Sequence, residues 1–397
     1  MKYSNQLQNL GTETAFAVSA QAKQWANQGN KVYPFHLGDI NLPTPENIVE
    51  ATIKSIKDGL TGYCPSEGIL PLREALANDV GAKREVEYHP DNVAVQPGGK
   101  PTIGKFISSV MDPGDEILYP NPGYPIYESQ IEYQGGRAIP YSYVQTDSGF
   151  DIDIEKLRDS INKDTVAIIY NNYQNPMSAE SSKKEMHDIA QIAIENDLWV
   201  LSDEAYFEII YEGDANSIVS IPGMKERTVI LYTFSKKFAM TGWRVGGSIG
   251  PKEIIKRIAK FNVNAESCTT HFIQNAMVEA LNGDQSGSIE ILKTLKSRRD
   301  VAVKGLNAID GIDILTPRTT FYLFPNVTKI MKRKGLINIE DLQNNALTRA
   351  NVSFCTREHF GRAQKDEVDS YIRLAYSGIS TEDIEDGLIA LKNYFEE

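Results

Sequence analysis

The run Thr233-Phe234-Ser235-Lys236-Lys237-Phe238-Ala239-Met240-Thr241-Gly242-Trp243-Arg244-Val245-Gly246 is the most informative stretch of this sequence. It follows the apolar segment TVILY at 228–232, which reads as a buried strand. A lysine at a strand end, in apolar surroundings, is placed to have a lowered pKa and to act as a nucleophilic amine. The hydroxyls of Thr233 and Ser235, together with Arg244, suit a dianionic phosphate.

Four more runs have the same character: NVAVQ at 92–96, EILY at 116–119, TVAIIY at 165–170 and LWVLS at 198–202. Helix-like stretches separate them, such as 181–196, where Met186, Ile189, Ile192 and Ala193 share one face. Strands that are apolar throughout, alternating with helices, predict an α/β fold with a mostly parallel sheet covered on both sides. Ligands bind such sheets at the C-terminal ends of the strands. The polar segments there are Pro97-Gly98-Gly99-Lys100, Asn121-Pro122-Gly123-Tyr124, Asn171-Asn172-Tyr173-Gln174-Asn175-Pro176, Asp203-Glu204-Ala205-Tyr206 and Thr233–Lys236. The last third reads as a smaller α+β unit, with helices at 286–306, 339–350 and 381–395 and strands at 320–325 and 371–375. A large domain is expected over 46–285, and a small one over 1–45 and 286–397.

A lysine able to form a Schiff base, beside a phosphate site, is what pyridoxal 5'-phosphate requires. Here the sequence resembles the class I/II aminotransferases, the aspartate aminotransferase-like group of fold type I. The spacing of 8 from Lys236 to Arg244 matches that family, as do 28 from Asn175 to Asp203 and 33 from Asp203 to Lys236. The resemblance runs from about residue 14 to the end.

It implies a role for each matching residue. Lys236, directly after Ser235, carries the Schiff base, and Lys237 is a bystander. Asp203 faces the pyridine nitrogen and keeps it protonated, so the ring remains an electron sink. Tyr206 and Asn175 hydrogen-bond the ring's phenolic oxygen. Gly98, Gly99 and Lys100 form the turn that holds the phosphate, with Thr233, Ser235 and Arg244. Tyr124 stacks on the ring, a contact worth about 1 kcal/mol. Arg373 grips the substrate α-carboxylate, with Gly38 and Asn175 nearby. Tyr63 reaches the phosphate of a neighbouring subunit, which implies a homodimer with shared sites; Thr270 aligns near that interface.

The family likeness also has gaps. The family's N-P-T-G reads Asn175-Pro176-Met177-Ser178, and its P-x-G-A-F-Y reads Pro317-Arg318-Thr319-Thr320-Phe321-Tyr322. Lys100 points to an acidic substrate, as in relatives with Gly-Gly-Lys, but the threonine that assists there aligns near Ala15. Arg357 and His359 are alternative recognition groups.

The reaction implied is ping-pong transfer of an amino group from an L-amino acid to a 2-oxo acid, with aspartate or glutamate as the candidate donor. Other pyridoxal phosphate chemistry on the same fold competes with it: β-elimination, cyclisation or oxidation. A non-catalytic regulator is a remoter reading, because such regulators are expected to carry an added DNA-binding domain.

Composition narrows the classes further. With 41 Lys and Arg against 53 Asp and Glu, the net charge is −12, which argues against a nucleic-acid partner. Three dispersed cysteines and five scattered histidines predict neither a disulfide framework nor a metal site. Gly99-x4-Gly104-Lys105 imitates the front of a P-loop, but Phe106 stands where a Ser or Thr should follow. The opening MKYSNQLQNLG lacks the apolar core of a signal peptide, and no run of 18 apolar residues predicts a membrane span, so the cytoplasm is expected.

Overall fold

The computed structural model describes residues 1–11 and 14–397. Its centre is a seven-stranded sheet in the order Val93–Gln96, Gly246–Ile249, Thr228–Thr233, Trp199–Asp203, Thr165–Tyr170, Glu116–Pro120, Arg137–Tyr141. Gly246–Ile249 runs antiparallel to both neighbours, and the other pairs are parallel. The expected α/β architecture is present.

Successive residues of the inner strands feed opposite cores, as the two-residue period requires. Ile168, Val200 and Ile230 pack with Leu72, Leu76 and Met277 on one face. Ile169, Leu201 and Val229 pack with Ile103, Phe106 and Ile258 on the other. Complete burial of each such side chain contributes about 2 kcal/mol. The helix Lys183–Glu195 shows how the sequence builds a cover. Ser182 caps it by accepting from the Glu185 N–H, and Met186, Ile189, Ile192 and Ala193 are all buried.

Two strands of the central sheet escape the sequence reading. Gly246-Gly247-Ser248-Ile249 looks like a loop, yet a Cβ on Gly246 would come within 2.5 Å of the Tyr232 carbonyl oxygen. Only a strand without side-chain bulk fits there. Arg137–Tyr141 contains Pro140, which a sheet tolerates at an edge, and this is the edge strand. Beyond it lies an antiparallel hairpin, Tyr143–Thr146 with Gly149–Ile152.

The C-terminal third forms a three-stranded antiparallel sheet, Tyr322–Leu323, Ile372–Ala375 and Cys355–Thr356. Tyr33–Pro34 pairs in parallel with Val352–Ser353. The helices Ser286–Asn307, Ile339–Ala350 and Thr381–Glu396 cover them through Leu295, Leu342, Leu388 and Leu391. The expected strand at 320–325 shrinks to two residues, because Thr320 takes a positive φ of 60°. This third core also takes in Tyr173, Tyr206 and Phe207, which follow strands of the central sheet. The turns bearing candidate site residues are thereby packed against the C-terminal third.

Candidate active site

A cavity of about 680 Å³ opens at the C-terminal ends of the parallel strands. Lys236, Asp203, Tyr206, Asn175, Tyr124, Gly99, Lys100, Thr233, Ser235, Arg244, Gly38 and Arg373 all line it. Five strand ends converge with the Gly38 segment near the N-terminus and the Arg373 strand of the C-terminal third, although these residues span most of the chain.

Lys236 follows the strand Thr228–Thr233. Its Nζ donates to the Gly38 carbonyl at 3.1 Å and lies 5.8 Å from the Tyr206 ring centre. Thr241 Oγ1 donates to Asp39 Oδ1 at 2.6 Å, tying the lysine loop to the same segment. Lys237 turns away and pairs with Glu208 at 3.1 Å.

Asp203 ends its strand almost fully buried. Burial pushes its carboxyl above the usual carboxylate range, against hydrogen bonds from Tyr127 Oη and the Ala205 N–H. Asn171 Nδ2 donates to the Asp203 carbonyl at 2.9 Å, while Asn171 Oδ1 accepts from the Asn175 N–H at 3.3 Å. Tyr206 Oη and Tyr322 Oη lie 2.6 Å apart. Burial, then Tyr322, raises the Tyr206 phenol well above its ordinary pKa.

Gly98 sits at φ 96°, and a Cβ there would overlap Arg244 Nη2. A Cβ on Gly99 would come within 2.6 Å of Leu231 Cδ2. The guanidinium approaches the main chain this closely only because position 98 lacks a side chain, and position 99 packs against Leu231 for the same reason. Gly99 starts the helix Lys100–Val110, whose first N–H groups receive no side-chain cap. Arg244 is held at φ 57° and donates to the Thr241 carbonyl at 2.8 Å. Lys100 Nζ stands 5.8 Å from the Tyr124 ring centre.

Arg373, on the strand Ile372–Ala375, donates to Asn175 Oδ1 at 3.1 Å and to the His36 carbonyl at 2.5 Å. It lies between the rings of Tyr322 and Phe360, at 4.6 and 4.7 Å. Among the described residues its buried Nε has no hydrogen-bond partner. These features suit a phosphorylated pyridine ring: a glycine cradle beside an arginine, a buried carboxylate, an aromatic wall and a lysine amine.

Some expected residues lie elsewhere. Tyr63 is 89% exposed and does not line the cavity, and Thr270 is exposed at the start of the helix His271–Asn282. Arg357 is not available for recognition. It forks onto Glu367 at 2.6 and 2.5 Å and donates to Asn121 Oδ1 at 2.7 Å. His359 does line the cavity, and burial lowers its pKa. Lys105 of the P-loop lookalike is buried against Gln96, Asn262 and Glu266, each within 2.8 Å. Ala15 lines the cavity, as does Phe16.

Sequence reasoning gave no role to Tyr127, Asn171 or Tyr322, although Asn171 and Tyr322 lie in segments it singled out. Tyr127 stands three residues after Tyr124, a spacing that a helical turn brings to one side. Asn171 directly follows its strand. Tyr322 lies in a segment that departs from the expected pattern.

Residues 30–391 match the family described as aminotransferase class I and II. The aspartate aminotransferase of Bacillus sp. (strain YM-2) is 31% identical, with 94% of each chain covered. Among solved structures, aspartate aminotransferase from Thermus thermophilus with maleate superposes with a TM-score of 0.90 at 28% identity, covering 99% of each chain. Alanine aminotransferase from Pyrococcus furiosus gives a TM-score of 0.90 at 28% identity over the whole of both chains. Agreement of motif spacing, sheet order and overall superposition leaves one conclusion: the chain belongs to the class I and II aminotransferases, which work with pyridoxal 5'-phosphate.

Proposed function

We propose that this enzyme takes the amino group of a dicarboxylic amino acid, aspartate or glutamate, and delivers it to a 2-oxo acid. The observation that carries the reading is the placement of the Lys236 amine, the Asp203 carboxylate and the Arg373 guanidinium around one cavity. When bound, pyridoxal 5'-phosphate supplies the electron-accepting ring that makes the substrate α-proton removable.

The residues divide the work by their chemistry. The Lys100 N–H at the uncapped start of Lys100–Val110, with Gly98, Gly99, Thr233, Ser235 and Arg244, binds the phosphate. Asp203 accepts from the ring nitrogen, and Tyr124 stacks on the ring. Tyr206 and Asn175 donate to the phenolic oxygen. Arg373 forks onto the substrate α-carboxylate, with the Gly38 main chain beside it. Lys236 Nζ holds the cofactor between turnovers, and takes and returns the α-proton during them.

Lys100 supports the choice of donor, because it puts a cation on the cavity wall. Ala15 offers no hydroxyl beside it, so Lys100 carries the distal carboxylate without that help. The Thermus relative's structure with maleate shows that protein beside a dicarboxylate.

We also propose a homodimer with shared sites. Tyr63 is 89% exposed, and Ile53, Ile56 and Leu70, from the same region of sequence, are each nearly half exposed. A second copy would cover this apolar surface and bring Tyr63 to its neighbour's phosphate. A cytoplasmic location accords with three cysteines that are all unpaired.

Borohydride reduction of the cofactor-loaded protein, followed by peptide mass mapping, tests the assignment. Label on the peptide bearing Lys236, lost in Lys236→Ala, is the expected result. Label on another lysine would overturn it.

A further inference from the structure

We propose that Tyr127 is a positioning residue for this reaction: its phenol keeps the Asp203 carboxylate ionised and aimed into the cavity. This rests on the reading of Asp203 as the partner of the ring nitrogen. Tyr127 lies in the first turn of the helix Ile126–Tyr133 and is completely buried. Its Oη donates to Asp203 Oδ2 at 2.6 Å, and the Ala205 N–H donates to Oδ1 at 3.1 Å. The edge of its ring meets Tyr124 at 5.7 Å and 82°, so Tyr127 is fixed between two residues that face the cofactor.

The phenol is a permanent donor here. Burial, then the Asp203 charge, raises its pKa well above the ordinary value, so the proton stays on Tyr127. The groups around Asp203 act in both directions. Glu204, from the same strand end, opposes ionisation, and Lys236, from the next loop, favours it. Tyr206 is a neutral neighbour. Glu204 is itself held by Arg84 Nε at 2.6 Å and by Ser202 at 3.0 Å, so its charge is committed elsewhere. Without the phenol, Oδ2 loses its charge-stabilising donor in a site where burial already disfavours the anion.

The test is Tyr127→Phe, read by the affinity of the apoprotein for pyridoxal 5'-phosphate in equilibrium dialysis from pH 5 to 9. In the wild type, affinity should fall at acid pH as Asp203 takes a proton. The part of that fall which vanishes in Asp203→Asn reports this carboxylate. In Tyr127→Phe the same fall should begin about one pH unit higher, and kcat should drop more than KM rises. Site-specific 3-fluorotyrosine at 127, a stronger donor in the same shape, should move the midpoint below the wild-type value. A Phe variant that folds but keeps the wild-type midpoint overturns the proposal. So does a fluorotyrosine variant whose midpoint stays at the wild-type value, and this second variant decides the matter if the Phe variant does not fold. An acid fall unchanged in Asp203→Asn would instead overturn the reading of Asp203 itself.

Discussion

Arg373 Nη1 donates to Asn175 Oδ1 at 3.1 Å, joining a strand of the C-terminal sheet to the turn that follows a central strand. The guanidinium is thus oriented by Asn175 before any carboxylate arrives. Arg373→Lys keeps the charge but removes the planar fork. We expect kcat/KM for every amino acid and oxo acid to fall roughly 100-fold, as loss of a charge-assisted pair implies. Asn175→Ala should give a smaller loss of the same kind. Steady-state kinetics with two donors checks this; a loss confined to one donor would move Arg373 from the shared carboxylate to a side chain.

Gly38 and Tyr322 are in close apposition. A Cβ at position 38 would overlap Tyr322 Oη, while the nearest ring carbons would stand 3.0 Å away. Gly38→Ala should displace Tyr322 and break its bond to Tyr206, lowering kcat/KM about tenfold, in line with overpacking costs of 1–3 kcal/mol. The double variant Gly38→Ala with Tyr322→Phe removes the overlapping oxygen. It should be less impaired than the two separate losses predict. Additive losses in that double-mutant cycle would show that the two positions do not interact.

Lys100 bears on the choice of donor. Lys100→Ala should raise KM for aspartate and glutamate about tenfold or more, while KM for alanine stays nearly constant. Equal effects on all three would assign Lys100 to the cofactor phosphate instead.

His36 links the site to acid stability. Its side chain is 5% exposed, and its pKa is lowered to about 4, by burial first and then by Arg373. The unfolded chain binds this proton near pH 6.5, whereas the folded chain resists it. The stability that neutral His36 preserves at pH 7 is therefore lost progressively as pH falls from about 6.5 towards 4. Between pH 7 and 5 the loss should be about 2 kcal/mol. Urea unfolding at both pH values, for wild type and His36→Leu, measures it. The variant should show a flatter acid slope, and an unchanged slope would place the sensitivity in another group.

Sequence alone determined the parts of this protein that depend on local chemistry and on spacing along the chain. Apolar runs marked five strands of the sheet, because buried parallel strands admit few polar residues. That Lys236, Asp203 and Asn175 meet at one cavity was legible because each follows such a run, at the sheet edge where strand ends converge. Tertiary structure decided what depends on packing across long separations. Gly246–Ile249 is a strand because it pairs on both sides, with Val93–Gln96 and Thr228–Thr233, and at Gly246 the Tyr232 carbonyl leaves no room for a side chain, which no local propensity reveals. Arg357 looked available in sequence but is spent on Glu367 and Asn121, the latter 236 residues away. Tyr127 and Tyr322 carried no signature of their own. They became part of the site only when folding brought their hydroxyls to Asp203 and Tyr206, because a hydrogen bond depends on distance in space and not along the chain.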